Sequence, residues 1–340
     1  RTIATGYTLR NEGRVEWRSG SIHMEHTGRI ENAGTFDAQA SGYSINHLAP
    51  DARPRFVNTG TLTRTIGLDG LALIAVPFDN DGRVTATAGT IRLSEGDELA
   101  EQTGRFGAAN ANADVELTGG HFRSRGAVID GRVTLRRASL GGIGELSITG
   151  VLTTMEGSFA GIGGVTRIRP NGRLIIAGGT TVTRIRAQHT VRNEGRVEWR
   201  SSHVAMEDRA RLENAGTFYA QAGTRSGSYF ITPSEPFDLP TFVNTGTLTR
   251  TTGPDASAII TVSVTNSGVI DSRVGTLVFR SLTQTAQGRL RVELRPRGAL
   301  ASIVDLGLVE AESAVLDGTL EILTAPGYAP TPGESIRILQ

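Results

Sequence analysis

The nine residues NEGRVEWRS stand at Asn11–Ser19 and again at Asn193–Ser201. The match extends further: Thr8–Gln39 aligns with Thr190–Gln221 without a gap, and FVNTGTLTRT recurs at Phe56–Thr65 and Phe242–Thr251. A verbatim internal copy of this length is the mark of a structural repeat rather than of a duplicated active-site loop. Inside each copy runs a shorter rhythm, apolar-x-Asn-x-Gly-x-apolar. It centres on Asn11, Asn32, Asn58 and Asn80, then on Asn193, Asn214, Asn244 and Asn266. Successive asparagines lie 21, 26 and 22 residues apart in the first copy and 21, 30 and 22 in the second.

A period near 22 residues with strand-like alternation describes one coil of a parallel β-solenoid. The 3.6-residue apolar spacing of helical repeats is absent, as are the strict multiples of six of a hexapeptide helix. The expected fold is all-β: a right-handed parallel β-helix with roughly 21–22-residue coils. Asn and Gly tolerate left-handed backbone angles, so Asn-x-Gly is expected to turn the chain between short strands. The eight asparagines are expected to stack along the axis as a ladder of amide hydrogen bonds. In RVEW, Val15 and Trp17 point one way and the charges the other. Val15, Phe36, Leu62 and Val84 therefore form one interior stack.

Between the copies, DVELTGG, GRVTLRRASLGG and GRLIIAGG keep the same texture with Gly turns. The solenoid is expected over 1–287, with its duplicated segments at about 8–93 and 190–279. From about Gly288 the strands lengthen and a Pro-rich turn follows, so 288–340 reads as a C-terminal β cap that covers an otherwise unpaired edge.

Composition narrows the function. Lys and Arg total 35 against 34 Asp and Glu, and every basic side chain is Arg. This balance offers no broad positive field for nucleic acid. With no Cys there are no disulfides or thiolate metal sites. No apolar run reaches the roughly 18–20 residues of a membrane helix, so this segment is not expected to insert in a membrane. The chain opens on Arg1 and carries no signal-peptide pattern, which reads as a mature product or a piece of a longer chain.

The stretch ITGVLTTMEGSFAGIGGVTRIRPNGRLIIAGG, followed by VRNEGRVEW, and the closing LDGTLEILTAPGYAPTPGESIRIL resemble bacterial exported parallel β-helix proteins. That class includes autotransporter passengers and filamentous-haemagglutinin-like adhesins, and the resemblance covers nearly the whole chain. It implies a secreted or cell-surface location, and it is specific for architecture rather than activity.

Several residue groups carry candidate chemistry. Glu16 and Asp37 hold equivalent places in neighbouring coils, about 5 Å apart, where stacked acids bind a cation or share a proton. The second copy has Glu198 and Tyr219 there, so a solvated charged face is the plainer reading. His23 and His26 have metal-like spacing, but their counterparts are Ala205 and Asp208 and no third ligand is apparent. Asp79 and Asp81 flank Asn80 and read as turn-capping acids. No phosphate loop, nucleophile elbow, HExxH or GGxGxD motif is present. No catalytic residue, metal or cofactor is therefore assigned.

The longer insertions, Ala40–Arg55 and Ala222–Thr241, are expected to project as loops, where recognition usually resides. Their Tyr43, His47, Tyr229 and Phe230 are candidate binding residues that stack on sugars or pack on a partner protein. The leading expectation is a rigid, non-enzymatic extracellular segment that displays binding loops to a glycan or a cell-surface protein, with lateral self-association as a further route. The alternatives are a polysaccharide lyase or hydrolase on the same fold, and a non-catalytic glycan-binding module.

Overall fold

The computed structural model describes residues 1–47, 49, 53–223, 228–235, 237–253, 256–296 and 304–329. The chain divides into two compact units, Arg1–Leu174 and Ile175–Gln340. Each is a parallel β-solenoid, and no helix occurs among the described residues.

In the first unit a coil has three strands. Thr8–Asn11, Arg29–Asn32, Arg55–Asn58 and Phe78–Asn80 form a four-stranded parallel sheet with each Asn opposite the next. After the Asn-x-Gly corner, Arg14–Trp17, Thr35–Ala38, Thr61–Arg64 and Arg83–Ala86 pair in the same way. Ile22–Met24, Tyr43–His47, Leu71–Ala75 and Gly89–Leu93 form the third face. The Gly-punctuated stretch continues this stack, with Ala113–Leu117, Arg132–Leu135 and Val151–Met155 in successive coils.

The expected interior stack is present: Val15 lies opposite Phe36, Phe36 opposite Leu62, and Leu62 opposite Val84. Phe36, Leu62 and Val84 are fully buried. The Phe36, Phe56 and Phe78 rings meet edge-on at 5.4 and 5.3 Å, the geometry that aromatic quadrupoles favour. Burial of each such ring contributes about 1.5–3 kcal/mol, so the core stabilises the coils far more than any surface ion pair does.

The second unit repeats this plan, with one change. Thr190–Asn193, Arg211–Asn214 and Thr241–Asn244 pair in register as before. In the next coil one strand, Ser257–Asn266, runs through the corner and serves both faces. Its counterpart in the first unit is split into Leu71–Ala75 and Phe78–Asn80. Pro77 stands at that break, where a residue without an N–H interrupts a ladder. Beyond residue 288, Arg289–Pro296 stacks in parallel on Val269–Ser272 and Thr319–Thr324 on Arg289–Pro296, while Leu294–Pro296 pairs antiparallel with 304–306. Residues 297–303 and 330–340 of the expected cap lie outside the described residues.

The glycine of Asn-x-Gly has a different role from the one expected. None of Gly13, Gly34, Gly60, Gly82, Gly216, Gly246 or Gly268 has a positive φ, and neither do the ladder asparagines. What they require is room. A Cβ on Gly34 would sit 2.1 Å from the Gly13 carbonyl oxygen, one on Gly60 2.2 Å from that of Gly34, and one on Gly82 2.0 Å from that of Gly60. Each glycine is therefore pressed against the backbone of the preceding coil. Gly13, at the end of the stack, would meet nothing within 4 Å. Gly60→Ala is expected to cost about 1–3 kcal/mol by forcing two coils apart, whereas Gly13→Ala is nearly silent. Denaturant midpoints of the two variants check this, and equal losses would mean that close approach to the preceding coil does not set the cost.

Candidate functional site

The eight asparagines are brought together as two ladders, one in each unit. Asn11 Nδ2 donates to Asn32 Oδ1 at 2.6 Å, Asn32 to Asn58 at 2.7 Å, and Asn58 to Asn80 at 2.7 Å. In the second unit Asn193 donates to Asn214 at 2.6 Å, Asn214 to Asn244 at 2.6 Å, and Asn244 to Asn266 at 2.7 Å. The second amide hydrogen of Asn11, Asn32, Asn193 and Asn214 goes to the carbonyl of Thr35, Thr61, Thr217 and Thr247. A buried amide with all its hydrogens paired resists slippage of one coil on the next.

Each ladder ends in a glutamine that the Asn pattern did not reveal. The Asn80 backbone N–H donates to Gln102 Oε1 at 2.7 Å, and Asn266 Nδ2 donates to Gln284 Oε1 at 3.0 Å. The one available signal is their spacing from the last Asn, 22 and 18 residues.

Two fully buried arginines were also missed. Arg64 donates from Nη1 to the carbonyls of Ala38 and Ala40, at 2.7 and 2.9 Å. Its copy, Arg250, binds Ala220 and Ala222 in the same way and adds Gly253 at 3.3 Å and Ala256 at 2.8 Å through Nη2. Burial pushes the Arg250 guanidinium down to about 10, so it keeps its proton at neutral pH. Both arginines serve the corner, not a ligand.

Glu16 and Asp37 do lie opposite one another. Arg14 bridges them, with Nε 3.0 Å from Glu16 and Nη2 3.2 Å from Asp37, and Arg18 also binds Glu16. Hydrogen bonds from Arg18 and then Arg14 hold the Glu16 carboxyl below the usual range. The expected solvated face holds only for Glu16: Asp37 is fully buried and also accepts from Gln39 Nε2 at 2.9 Å and Thr65 Oγ1 at 2.8 Å, so the arrangement is a hydrogen-bonded arginine–carboxylate clasp. In the second copy Glu198 sits between Arg196 and Arg200, and the Arg196 guanidinium lies 4.2 Å over the Tyr219 ring. An ion pair in one copy has become a cation–π contact in the other.

His23 Nδ1 lies 2.7 Å from Asn46 Oδ1, and His26 occupies a turn with φ of 29°. Among the described residues no three His, Asp or Glu gather closely enough to hold a metal ion. Burial, reinforced by Asp81, raises Asp79, but Arg55 lies 2.5 Å from Asp97 and 3.8 Å from Asp79 and offsets their charge. Asp81 accepts from Thr103 Oγ1 at 2.5 Å, as a turn-capping acid does.

The four candidate binding residues do not project on loops. Tyr43 and His47 lie on the strand Tyr43–His47, and Tyr229 and Phe230 on Tyr229–Pro233. Each strand is paired on both sides. Alternation explains why: Ile45 and Ile231 point inward and bring the chain back to the coil. Residues 48, 50–52, 224–227 and 236 of those insertions lie outside the described residues. Tyr43 is 42% exposed, and His47 faces Glu95 at 3.4 Å.

Phe230 stacks on His203 with ring centroids 5.4 Å apart and planes inclined by 19°. Tyr229 lies 5.5 Å from the same imidazole. The register carries Phe230 onto Ile259 and Ile259 onto Val278. These side chains alternate with buried Val204, Ile231, Ile260 and Leu277, so His203, Phe230, Ile259 and Val278 form an outward apolar stripe. The matching places in the first copy hold Ser21, Ser44, Leu73 and Arg92.

Fold and surface together define a parallel β-solenoid built on a duplicated scaffold. No protein-family model and no curated protein matches the chain. Among solved structures it is similar to a TibC-catalysed, hyper-glycosylated TibA fragment. Identity is 13% over 96% of this chain and 98% of that one, and the TM-score is 0.22, a level that carries no inference about this chain.

Proposed function

We propose that the chain is a non-enzymatic structural and adhesive segment displayed outside a bacterial cell, in which a fixed scaffold presents variable outer stripes. One observation carries this reading: the two copies keep the residues that hold the coils together, and with them the outward Arg10, Arg14 and Arg18 as Arg192, Arg196 and Arg200, yet differ along one outer stripe. The Asn ladder, the buried Trp17 and Trp199, and the buried Arg64 and Arg250 are the same in both. On one outer stripe, Ser21 and Ser44 are replaced by His203 and Phe230. Selection for a rigid frame with changeable contacts produces that division, because binding depends on exposed side chains and stability on buried ones.

The test is retention of beads coated with the purified chain on cultured epithelial cells under flow, against beads coated with an unrelated protein of similar charge. Retention above the control is the expected result. Background retention, accompanied by release of new reducing ends from a polysaccharide panel, would replace this reading with an enzymatic one.

A further inference from the structure

Where Ser257–Asn266 and Gly275–Gln284 run unbroken through the corner, the pairing shifts register between Ile260 and Ser263. A groove of about 390 Å³ opens there in the second unit. Ser263, Ser281 and Ser313 lie opposite one another in three successive coils and line it with a row of hydroxyls. Neighbouring strands set such a row at about 4.8 Å per step. Arg280 and Glu312 stand in the groove 3.9 Å apart and are largely exposed, so it carries both a donor and an acceptor with no net charge. Pro233, Leu239 and Pro240 wall one side, and Phe237 is 90% exposed on the same segment.

The stripe of His203, Phe230, Ile259 and Val278 runs beside this row, with Ile259 four residues before Ser263 and Val278 three before Ser281, and Glu310 takes the stripe position in the third coil. An aromatic and aliphatic band thus borders a row of hydroxyls and a neutral ion pair. Pyranose rings have that same division, with apolar faces of C–H groups and a rim of hydroxyls. A row repeating once per coil also suits a ligand that is itself a linear repeat. The first copy holds Ala75, Pro77, Ser94 and Glu95 at the places of Thr261, Ser263, Arg280 and Ser281, and its strand is broken at Pro77.

The geometry points to this groove as a binding site for an extended, neutral oligosaccharide lying along the solenoid axis across three coils. Ring faces pack on the Phe230 stripe, and ring hydroxyls bond to the serines, Arg280 and Glu312. This deepens the adhesive reading by assigning its partner class, and the two fail separately. Beads that adhere although the chain binds no saccharide overturn the groove alone.

The experiment titrates the full chain with a β-1,4-linked glucose hexamer and with a hexamer of galacturonate. The glucose hexamer is expected to bind with a dissociation constant of about 1 mM or tighter, and the galacturonate hexamer more weakly. Arg280→Ala is expected to weaken glucose-hexamer binding about tenfold, because a charged hydrogen-bond donor is lost from an exposed position that bears no fold. Phe230→Ala tests the stripe and is expected to weaken binding similarly. Arg92→Ala, at the matching stripe position of the first copy, leaves binding unchanged. No binding of the glucose hexamer, tighter binding of galacturonate, or wild-type affinity in Arg280→Ala would overturn the assignment.

Discussion

Asn214→Asp lowers the stability of the unit Ile175–Gln340 by about 3–5 kcal/mol at neutral pH, the penalty of an unpaired buried charge. Asn214 accepts from Asn193 and donates to Asn244 Oδ1 and the Thr247 carbonyl. A carboxylate retains the first bond but faces two acceptors where it had donated. Burial and those acceptors raise its folded pKa above the unfolded value. The folded state then binds more protons than the unfolded state between the two values, so stability falls as pH rises through that window. At about pH 3, below both values, the carboxyl is largely protonated in both states. It can then donate its O–H to Asn244 Oδ1, leaving only the Thr247 carbonyl unpaired and a residual loss of about 1 kcal/mol. Chemical denaturation of variant and wild type at pH 7 and pH 3 measures the difference. A deficit that does not shrink in acid would mean that the ladder amide does not act through its hydrogens.

Much of this was legible in the sequence because parallel coils write one position repeatedly. The Asn ladder and the stack of Val15, Phe36, Leu62 and Val84 follow from recurrence and alternation alone. The buried arginine was legible in principle: in Thr61–Arg64, Leu62 points inward, so Arg64 does too. Charge argued for the surface, and alternation prevailed because backbone carbonyls at the corner accept the guanidinium. The glycine letter could not separate left-handed backbone from close approach, since both need a missing Cβ. Insertion length suggested projecting loops at Tyr43 and Tyr229, yet the Tyr-x-Ile pattern returns each segment to the coil. The stacking of Phe230 on His203 joins residues 27 apart and depends on register, which no local pattern conveys.

Arg250→Ala is expected to destabilise the same unit by about 3–5 kcal/mol, through orphaned carbonyls and a cavity at the corner. The carbonyls of Ala220 and Ala222 lose the guanidinium, and those of Gly253 and Ala256 lose it but keep the backbone N–H groups of Ala256 and Thr276. Opposing this is relief of the guanidinium's desolvation, the same effect that pulls its pKa down. Arg250→Met decides between them, because it nearly preserves volume while removing charge and donors. If the carbonyl bonds dominate, Met still costs about 2–3 kcal/mol; if desolvation dominates, Met is neutral or stabilising. The first copy supplies a second comparison. Arg64 bonds to Ala38 and Ala40 but leaves Nε and Nη2 buried without a hydrogen-bond partner. Arg64→Ala is therefore expected to cost about 1–2 kcal/mol less than Arg250→Ala, the worth of two carbonyl bonds. Hydrogen exchange of the Thr247–Arg250 and Thr61–Arg64 strands reads both losses locally, and an equal cost at the two sites would show that packing, not hydrogen bonding to the corner, holds the arginine inside.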